Sequence, residues 1–476
     1  MFRHCFWTFN SNACYSLATL ARPAFPLSVL LAHHSHPELF KGGGEALVSL
    51  LELPETQSLR LLSADGRLLF ATRVVRTFSY GLLSVVLVLY LAAIGLQETQ
   101  IGLLLTGTLV GDAAVSLAIT SRADRLGRRR MLILGGLLLA VTGLAFALSG
   151  NLLLLTIAAI FGTLSPGGGE VGPSQPIELA ALPQTIPDRY RTNTFAWYNL
   201  VGSLASATGA LTAGLLAQTL QSYGTTPVTS YHDVLALYGT LGFVLALLFS
   251  RLSAAVEVAA VAATDSTKGR RLGLHRSQSI IFKLAGLFMV DSFAGGLVVQ
   301  SFVAYWFLLR FGVAPVGLGA IFFGTNLLAG LSALAAARVA GKIGLVNTMV
   351  FTHLPSNVFL ILVPLMPNLP LAIALLLARN SISQMDVPTR QSYVVAVVDP
   401  DERSAASGIT SIARTLASAA GPVVTGTLFS AALLSVPFFL AGGLKIVYDL
   451  TLWRSFRSVR PPEEQEGERA RRAKPS

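Results

Sequence analysis

Residues 120–147 read TSRADRLGRRRMLILGGLLLAVTGLAFA, a cluster of charges followed by a long run that carries none. A helix needs about 20 mostly apolar residues to cross a hydrocarbon core of about 30 Å. Similar runs recur along the chain, without the alternation of apolar and polar residues that barrel strands show. Of the 476 residues, 53% are hydrophobic and 12% are charged, against about 25% charged in soluble domains. The sequence therefore predicts an all-α integral membrane protein.

These apolar runs give twelve candidate transmembrane helices, six in each half of the chain. The first six lie near 74–96, 99–121, 131–148, 151–183, 194–221 and 232–250. The second six lie near 279–311, 316–337, 347–366, 369–397, 405–429 and 431–452. We therefore divide the chain into an N-terminal extension expected to be disordered (1–72), a six-helix bundle (73–250), a cytoplasmic linker (251–276), a second six-helix bundle (277–456) and a charged cytoplasmic tail (457–476).

The distribution of charge between the spans predicts the orientation of the protein. Loops near 122–130, 184–193, 251–276, 338–346 and 398–404 hold nearly all the inter-helix Arg and Lys. They alternate with loops that hold almost none, so both termini are expected to be cytoplasmic, in the plasma membrane. Residues 1–37 are basic and poor in acids. They fit an organelle-targeting segment, which would place the protein in an organelle membrane instead. The alternatives are a disordered extension and an over-long gene model.

An internal repeat links the two halves of the chain. The segment Leu204–Gly209 reads LASATG and the segment Leu416–Gly421 reads LASAAG, 212 positions later. The same shift carries Pro176 onto Pro388. Duplicated bundles that meet at a midplane site are the architecture of many secondary transporters. The sequence thus predicts two pseudo-symmetric six-helix bundles.

The loop between the second and third spans resembles the signature loop of the major facilitator superfamily, Gly-x-x-x-Asp-Arg/Lys-x-Gly-Arg/Lys-Arg/Lys. The matching residues are Asp124, Arg125, Gly127, Arg128 and Arg129, while Thr120 replaces the leading glycine. The resemblance covers about residues 73–456 and implies that this loop latches the two bundles in one orientation. Gly127 is expected to form a tight turn with positive φ. The alternative for the arginines is that they only obey the positive-inside rule.

Ionisable residues inside spans are costly and are by default functional candidates. The candidates for binding protons or substrate are Asp112, Glu170, Glu178, Asp291, Asp386, Arg390 and Arg414. Three other basic residues, Lys283, Arg379 and Lys445, lie nearer span ends, where snorkelling toward the membrane surface is a sufficient explanation.

Two of these acids lie in the fourth span. Glu170 follows Pro166–Gly169, which loosens the helix, and it is the first candidate for taking up a proton. The shift of 212 carries Glu178 onto Arg390, so the two could pair across the central cavity. The local alternative is a pair between Asp386 and Arg390, four residues apart on one helix. Both interpretations stay open at this point.

The leading functional prediction is a secondary active transporter of a small solute that works by alternating access, with proton-coupled export of a drug or metabolite. The segment 209–214 supports export, because it resembles the Gly-Pro-x-x-Gly-Gly motif of proton-coupled exporters with Ala210 in place of proline; close helix packing is the alternative. The runner-up is an uptake carrier or uniporter, followed by a receptor on the same scaffold or a membrane-embedded enzyme.

The remaining expectations concern partners. Cys5 and Cys14 lie outside the apolar region, so no cysteine metal site or cofactor is expected in the core. The net charge of +11 sits in short loops and the tail, which argues against nucleic acid. No basic cluster is apparent in the cavity, which argues against a polyanionic substrate. We expect a monomer that binds a small molecule, protons and lipid, and no enzymatic activity.

Overall fold

The computed structural model describes residues 61–169, 172–185, 191–257, 276–399 and 402–459, and they form helices and turns with no strand. The helices of the first half are α1 (Ala64–Ala93), α2 (Glu98–Leu126), α3 (Arg128–Leu148), α4 (Leu152–Phe161), α5 (Ser174–Ala181), α6 (Arg191–Ser222) and α7 (Pro227–Ser250). Those of the second half are α8 (Gln278–Leu297), α9 (Gln300–Phe311), α10 (Pro315–Ile343), α11 (Leu345–Leu362), α12 (Leu369–Ser383), α13 (Asp386–Ala396), α14 (Arg403–Ala419), α15 (Gly421–Ser430) and α16 (Val436–Phe456).

Within the described residues, nine helical segments are long and apolar enough to cross a membrane, counting α8 and α9 together. The all-α membrane fold is therefore confirmed. The other three predicted spans, 151–183, 369–397 and 405–429, are each covered by two shorter helices in tandem. The first helix begins at Ala64, ten residues before the predicted span. The predicted extension up to residue 60, most of the linker and the tail after residue 459 lie outside the described residues.

The longest of these interruptions follows α4 and comes from Pro166 and the glycines after it. Gly168 and Gly172 have φ of 67° and 85°, a conformation that residues with a Cβ rarely adopt. The freed backbone finds partners: the Ser301 amide donates to the Pro166 carbonyl oxygen at 2.9 Å, and its hydroxyl donates there at 2.7 Å. The Ser206 hydroxyl donates to the Gly168 oxygen at 2.8 Å. Broken helix is thus tolerated here because side chains replace the lost backbone bonds.

The repeated LASATG and LASAAG segments do the same packing work in the two halves. A Cβ on Gly209 would lie 2.1 Å from the Phe78 carbonyl oxygen of α1. A Cβ on Gly421 would lie 2.1 Å from the Gly296 carbonyl carbon of α8. Both positions therefore need glycine so that two helix backbones can touch. The close helix packing given as the alternative for segment 209–214 is thus present at Gly209, and Gly421 packs in the same way.

The two bundles meet closely at the end that carries the nearly uncharged loops. A Cβ on Gly102 of α2 would lie 2.5 Å from the Pro422 oxygen of α15, and one on Gly214 of α6 would lie 2.3 Å from the Pro315 oxygen of α10. The side-chain hydroxyls of Thr99 and Ser430 are hydrogen-bonded at 2.8 Å across the same seam. This end of the molecule is closed in the structure.

Candidate functional site

Two adjoining cavities lie between the bundles. The first has a volume of about 400 Å³ and is lined by α1, α6, α8, α9, α10, α12 and the broken segment after α4. The second has a volume of about 410 Å³ and extends toward α13, α14 and α16. Gly295, Arg379 and Gln384 line both. Volumes of this size suit a small organic molecule.

A network of buried charges borders the second cavity, with Asp291 of α8 at its centre. Lys445 Nζ lies 2.5 Å from Asp291 Oδ1, and Arg390 Nη1 lies 3.0 Å from Oδ2. Arg390 Nη1 also lies 2.9 Å from Asp386 Oδ2. The structure thus brings together three of the predicted residues, on α8 and α13. Such charges are tolerated in a membrane protein because they neutralise one another and face the protein interior.

The network continues through a histidine that also lines the second cavity. His353 of α11 places Nε2 at 3.9 Å from Asp291 Oδ1 and Nδ1 at 2.9 Å from Asp449 Oδ1. Asn357 Nδ2 donates to the other oxygen of Asp449 at 2.9 Å. Sequence reasoning missed these residues. The signal was present, since Lys445 and Asp449 stand four apart on one apolar helix.

In the first bundle, Glu178 is held by a different set of donors. Arg76 Nη1 and Nη2 donate to its two carboxylate oxygens at 2.6 Å each. Thr72 donates to Oε1 at 2.9 Å, and the Tyr198 hydroxyl donates to Oε2. The pair is sealed, with the arginine 1% and the glutamate 0% exposed. A bidentate guanidinium–carboxylate contact is the strongest form of this interaction.

The pairing of Glu178 bears on the two interpretations left open by the sequence. The local pair between Asp386 and Arg390 is present. The cross-bundle pair between Glu178 and Arg390 is not formed in this conformation, since each group has partners within its own bundle. The repeat instead relates one intrabundle pair to the other, with the signs exchanged. Arg76 on α1 and Glu178 on α5 correspond to Asp291 on α8 and Arg390 on α13, at shifts of 215 and 212 positions.

The remaining candidates within spans have these positions. Asp112 is 6% exposed and lines the second cavity. Arg414 lines it as well and donates from Nε to the Ser292 hydroxyl at 3.1 Å. Glu170 lies outside the described residues.

The snorkelling interpretation is wrong for two of the three basic residues to which it was assigned. Lys283 is exposed, and for this residue snorkelling stays a prediction. Lys445 is 7% exposed and is paired with Asp291 inside the bundle. Arg379 lines both cavities. The prediction is wrong for these two because both side chains extend inward toward the cavities rather than outward along the helix to the membrane surface.

The signature loop forms a compact turn between α2 and α3. Gly127 has φ of 100°, as predicted. Glu257, which follows α7, accepts hydrogen bonds from the backbone amides of Arg128 at 2.7 Å and Arg129 at 3.1 Å. Its carboxylate therefore caps the positive end of α3. Arg128 is 8% exposed and Arg125 is exposed. The side chain of Asp124 is not among those described, and the latch role of the loop stays a prediction.

Comparison with known proteins identifies the family. A profile described as Major Facilitator Superfamily matches residues 69–378 and 284–476. The chain belongs to the major facilitator superfamily. Membership indicates a transporter rather than an enzyme. One relative by sequence is an uncharacterized membrane protein of Saccharomyces cerevisiae, which is 32% identical over 425 residues. The aligned region covers 83% of this chain and 95% of the relative.

Solved structures of the superfamily share the fold. A bacterial homolog of the human lysosomal transporter Spinster, inward-facing and unoccupied, has a TM-score of 0.62 at 15% identity, covering 82% of this chain and 94% of that one. The nucleoside transporter NupG has a TM-score of 0.64 at 13% identity, covering 83% and 99%. A D-xylose–proton symporter has a TM-score of 0.63 at 14% identity, covering 82% and 97%. At these identities the likeness shows the fold alone.

Proposed function

We propose that this superfamily member is a secondary active transporter that moves a small solute through the two cavities by alternating access, coupled to protons. The observation that carries the proposal is the charge network on the cavity wall. A solute-sized cavity between two bundles gives a place to bind, and a buried titratable cluster beside it gives a place to store charge.

The proposed coupling residue is His353, because it links the cavity wall to the bundle interior. It faces Asp291 of α8 on one side and Asp449 of α16 on the other, with Asn357 of its own helix also in contact. An imidazole can carry a proton on one or on both of its ring nitrogens, so it can be neutral or cationic. A proton on His353 adds a second cation near Asp291 Oδ1, where Lys445 already lies. Competition between the two cations for one carboxylate is the proposed link between protonation and movement.

Export of a drug or metabolite is the proposed direction, in a monomer of the plasma membrane with both termini cytoplasmic. The resemblance of segment 209–214 in α6 to the motif of proton-coupled exporters supports it. Uptake or uniport is the alternative. Protease accessibility of terminal tags in intact cells tests the orientation.

The test is transport by the purified full chain in proteoliposomes across a panel of solutes, with and without an imposed pH gradient. We expect the gradient to drive accumulation. His353→Gln should abolish this accumulation while leaving solute-for-solute exchange, and His232→Gln, on α7, is the matched control. If the wild-type transport rate is the same with and without the pH gradient, the protein is a uniporter. If no solute moves, the receptor alternative gains support.

A further inference from the structure

The described lining of the first cavity is basic. Two of its described lining residues carry a formal charge, and both are arginines: Arg73 of α1 and Arg379 of α12. The rest of its described lining is uncharged and includes the side-chain amides of Gln300, Asn326 and Asn380. Over both cavities the described lining has five basic side chains, Arg73, Arg379, Arg390, Arg414 and Lys445, against three acidic ones, Asp112, Asp291 and Asp386. The sequence-based argument that the cavity lacks basic groups is therefore corrected.

Arg379 makes no direct ion pair in the part of the chain that the structure describes; Asp291 and Asp386 are near enough to attract it, but both carboxylates already contact other cations. No ion pair within 4 Å joins it to a carboxylate there, and its buried Nε lacks a hydrogen-bond acceptor. Arg390 and Lys445, by contrast, share the carboxylates of Asp291 and Asp386. An arginine cannot shed its charge by losing a proton. A cation away from bulk water without a partner is costly unless something else supplies the negative charge.

We infer that the cavity binds a solute that carries a carboxylate or phosphate group, with Arg379 as its anion-binding residue. This deepens the proposed function, on which it rests for the statement that the bound solute is transported. A guanidinium offers two parallel N–H donors to either oxyanion. The neighbouring amides provide donors and acceptors for the rest of a solute small enough for about 400 Å³.

The position of the two arginines gives the anion a role in the transport cycle. Arg73 belongs to the first bundle and Arg379 to the second. Arg73 also stacks on the Tyr198 ring, with Cζ 4.4 Å from the ring centroid, and this fixes its direction. An anion bound between them contacts both bundles at once. Occupancy therefore favours approach of the bundles on the side where the cavity opens.

Binding to the purified full chain in detergent tests the inference without requiring transport. The probes are matched sets that differ in charge: benzoate, benzamide and benzylamine, and glucose 6-phosphate and glucose. The readouts are the melting temperature against probe concentration and the Kd by calorimetry. We expect an anionic member of at least one set to bind about tenfold or more tightly than its neutral partner. The carboxylate and phosphate arms distinguish the two sources of negative charge.

Arg379→Gln should weaken binding of that anion about tenfold to a hundredfold, whereas Arg379→Lys, which keeps the charge, should retain the preference for anions. The matched control is Arg310→Gln, an exposed arginine of α9. Because an unpaired cation is removed, the melting temperature of ligand-free Arg379→Gln should equal or exceed that of the wild type, which excludes misfolding as the cause.

Three outcomes overturn the inference: no anion binds, neutral or cationic probes bind most tightly, or Arg379→Gln leaves the Kd of the anion unchanged. Vesicle transport separates it from the proposed function. Neutral solutes that move while anions do not would leave the transporter proposal standing and refute the anion. If anions bind but no solute moves, the anion site stands and the transporter proposal is refuted.

Discussion

Replacing Arg76 with methionine removes the cation from the sealed ion pair of the first bundle. Methionine keeps the unbranched apolar stem but lacks the guanidinium, so the change removes the charge together with its hydrogen-bond donors. Glu178 then loses the two donors that lie 2.6 Å from its oxygens and keeps those of Thr72 and Tyr198. Since this carboxylate is 0% exposed, water cannot replace the lost partner without opening the helix packing.

The expected loss follows from the burial of both partners. Removing one member of a buried ion pair costs about 3–5 kcal/mol, because an uncompensated charge stays behind. A unit about the size of one six-helix bundle loses about 2–4 °C of melting temperature per kcal/mol. Arg76→Met should therefore lower the melting temperature by at least roughly 6 °C. Adding Glu178→Leu should restore most of the loss, because the double variant leaves no charge buried.

The assay is thermal unfolding of the detergent-purified variants, followed by the fraction that stays monodisperse after heating at one fixed rate. Arg67→Met is the matched control, because Arg67 lies on the same helix and is exposed; it should change stability by less than about 0.5 kcal/mol. The reasoning is refuted if Arg76→Met melts with the control, or if the double variant is no more stable than the single.

Three further predictions test other contacts. Glu257→Gln weakens the cap of α3 and should cost about 1 kcal/mol, seen as a lower midpoint in the same assay; an unchanged midpoint argues against the cap. Gly102→Ala puts a methyl group 2.5 Å from a backbone oxygen of α15 and should separate the bundles there, measured by solvent labelling of a cysteine placed on α15. The control is Gly107→Ala, whose added methyl group would lie 3.4 Å from the nearest atom and should leave the bundles in contact. Equal labelling in the two variants would contradict close contact of the bundles at Gly102. Ser301→Ala removes one donor to the backbone between α4 and α5 and should slow transport without changing solute affinity; an unchanged rate removes that contact from the cycle.

The fold was predictable because a helix that crosses a bilayer needs a long apolar run, and such runs are visible in the sequence. The length of the apolar runs placed the helices, and the two related glycines, Gly209 and Gly421, both lie at close helix contacts. The turn with positive φ at Gly127 was also predictable from the local sequence. Helix interruptions were less visible. Pro166 and its glycines indicated one break, but the break between α12 and α13 has no glycine, and Pro388 lies inside the first turn of α13, where proline is tolerated.

The site was only partly predictable because its partners are distant in sequence. Glu178 was singled out, yet Arg76 lies 102 residues away, at the very start of the predicted first span. Lys445 was assigned to the membrane surface because depth along a helix does not reveal which way a long side chain turns. Its contact with Asp291 spans 154 residues. Charge inside a span thus marked a group of interacting side chains, and only packing showed which charges neutralise each other.

The exchanged signs of the two ion pairs have an electrical consequence. The halves of this superfamily are related by a two-fold axis along the membrane normal, and such a rotation reverses every vector component that lies in the membrane plane. With equal signs in both halves, the in-plane dipoles of Arg76–Glu178 and Asp291–Arg390 would oppose each other. Because the signs are exchanged, these components point the same way and add. In the proposed transport cycle, a solute bound between the bundles would lie in a transverse electric field that turns as the bundles move.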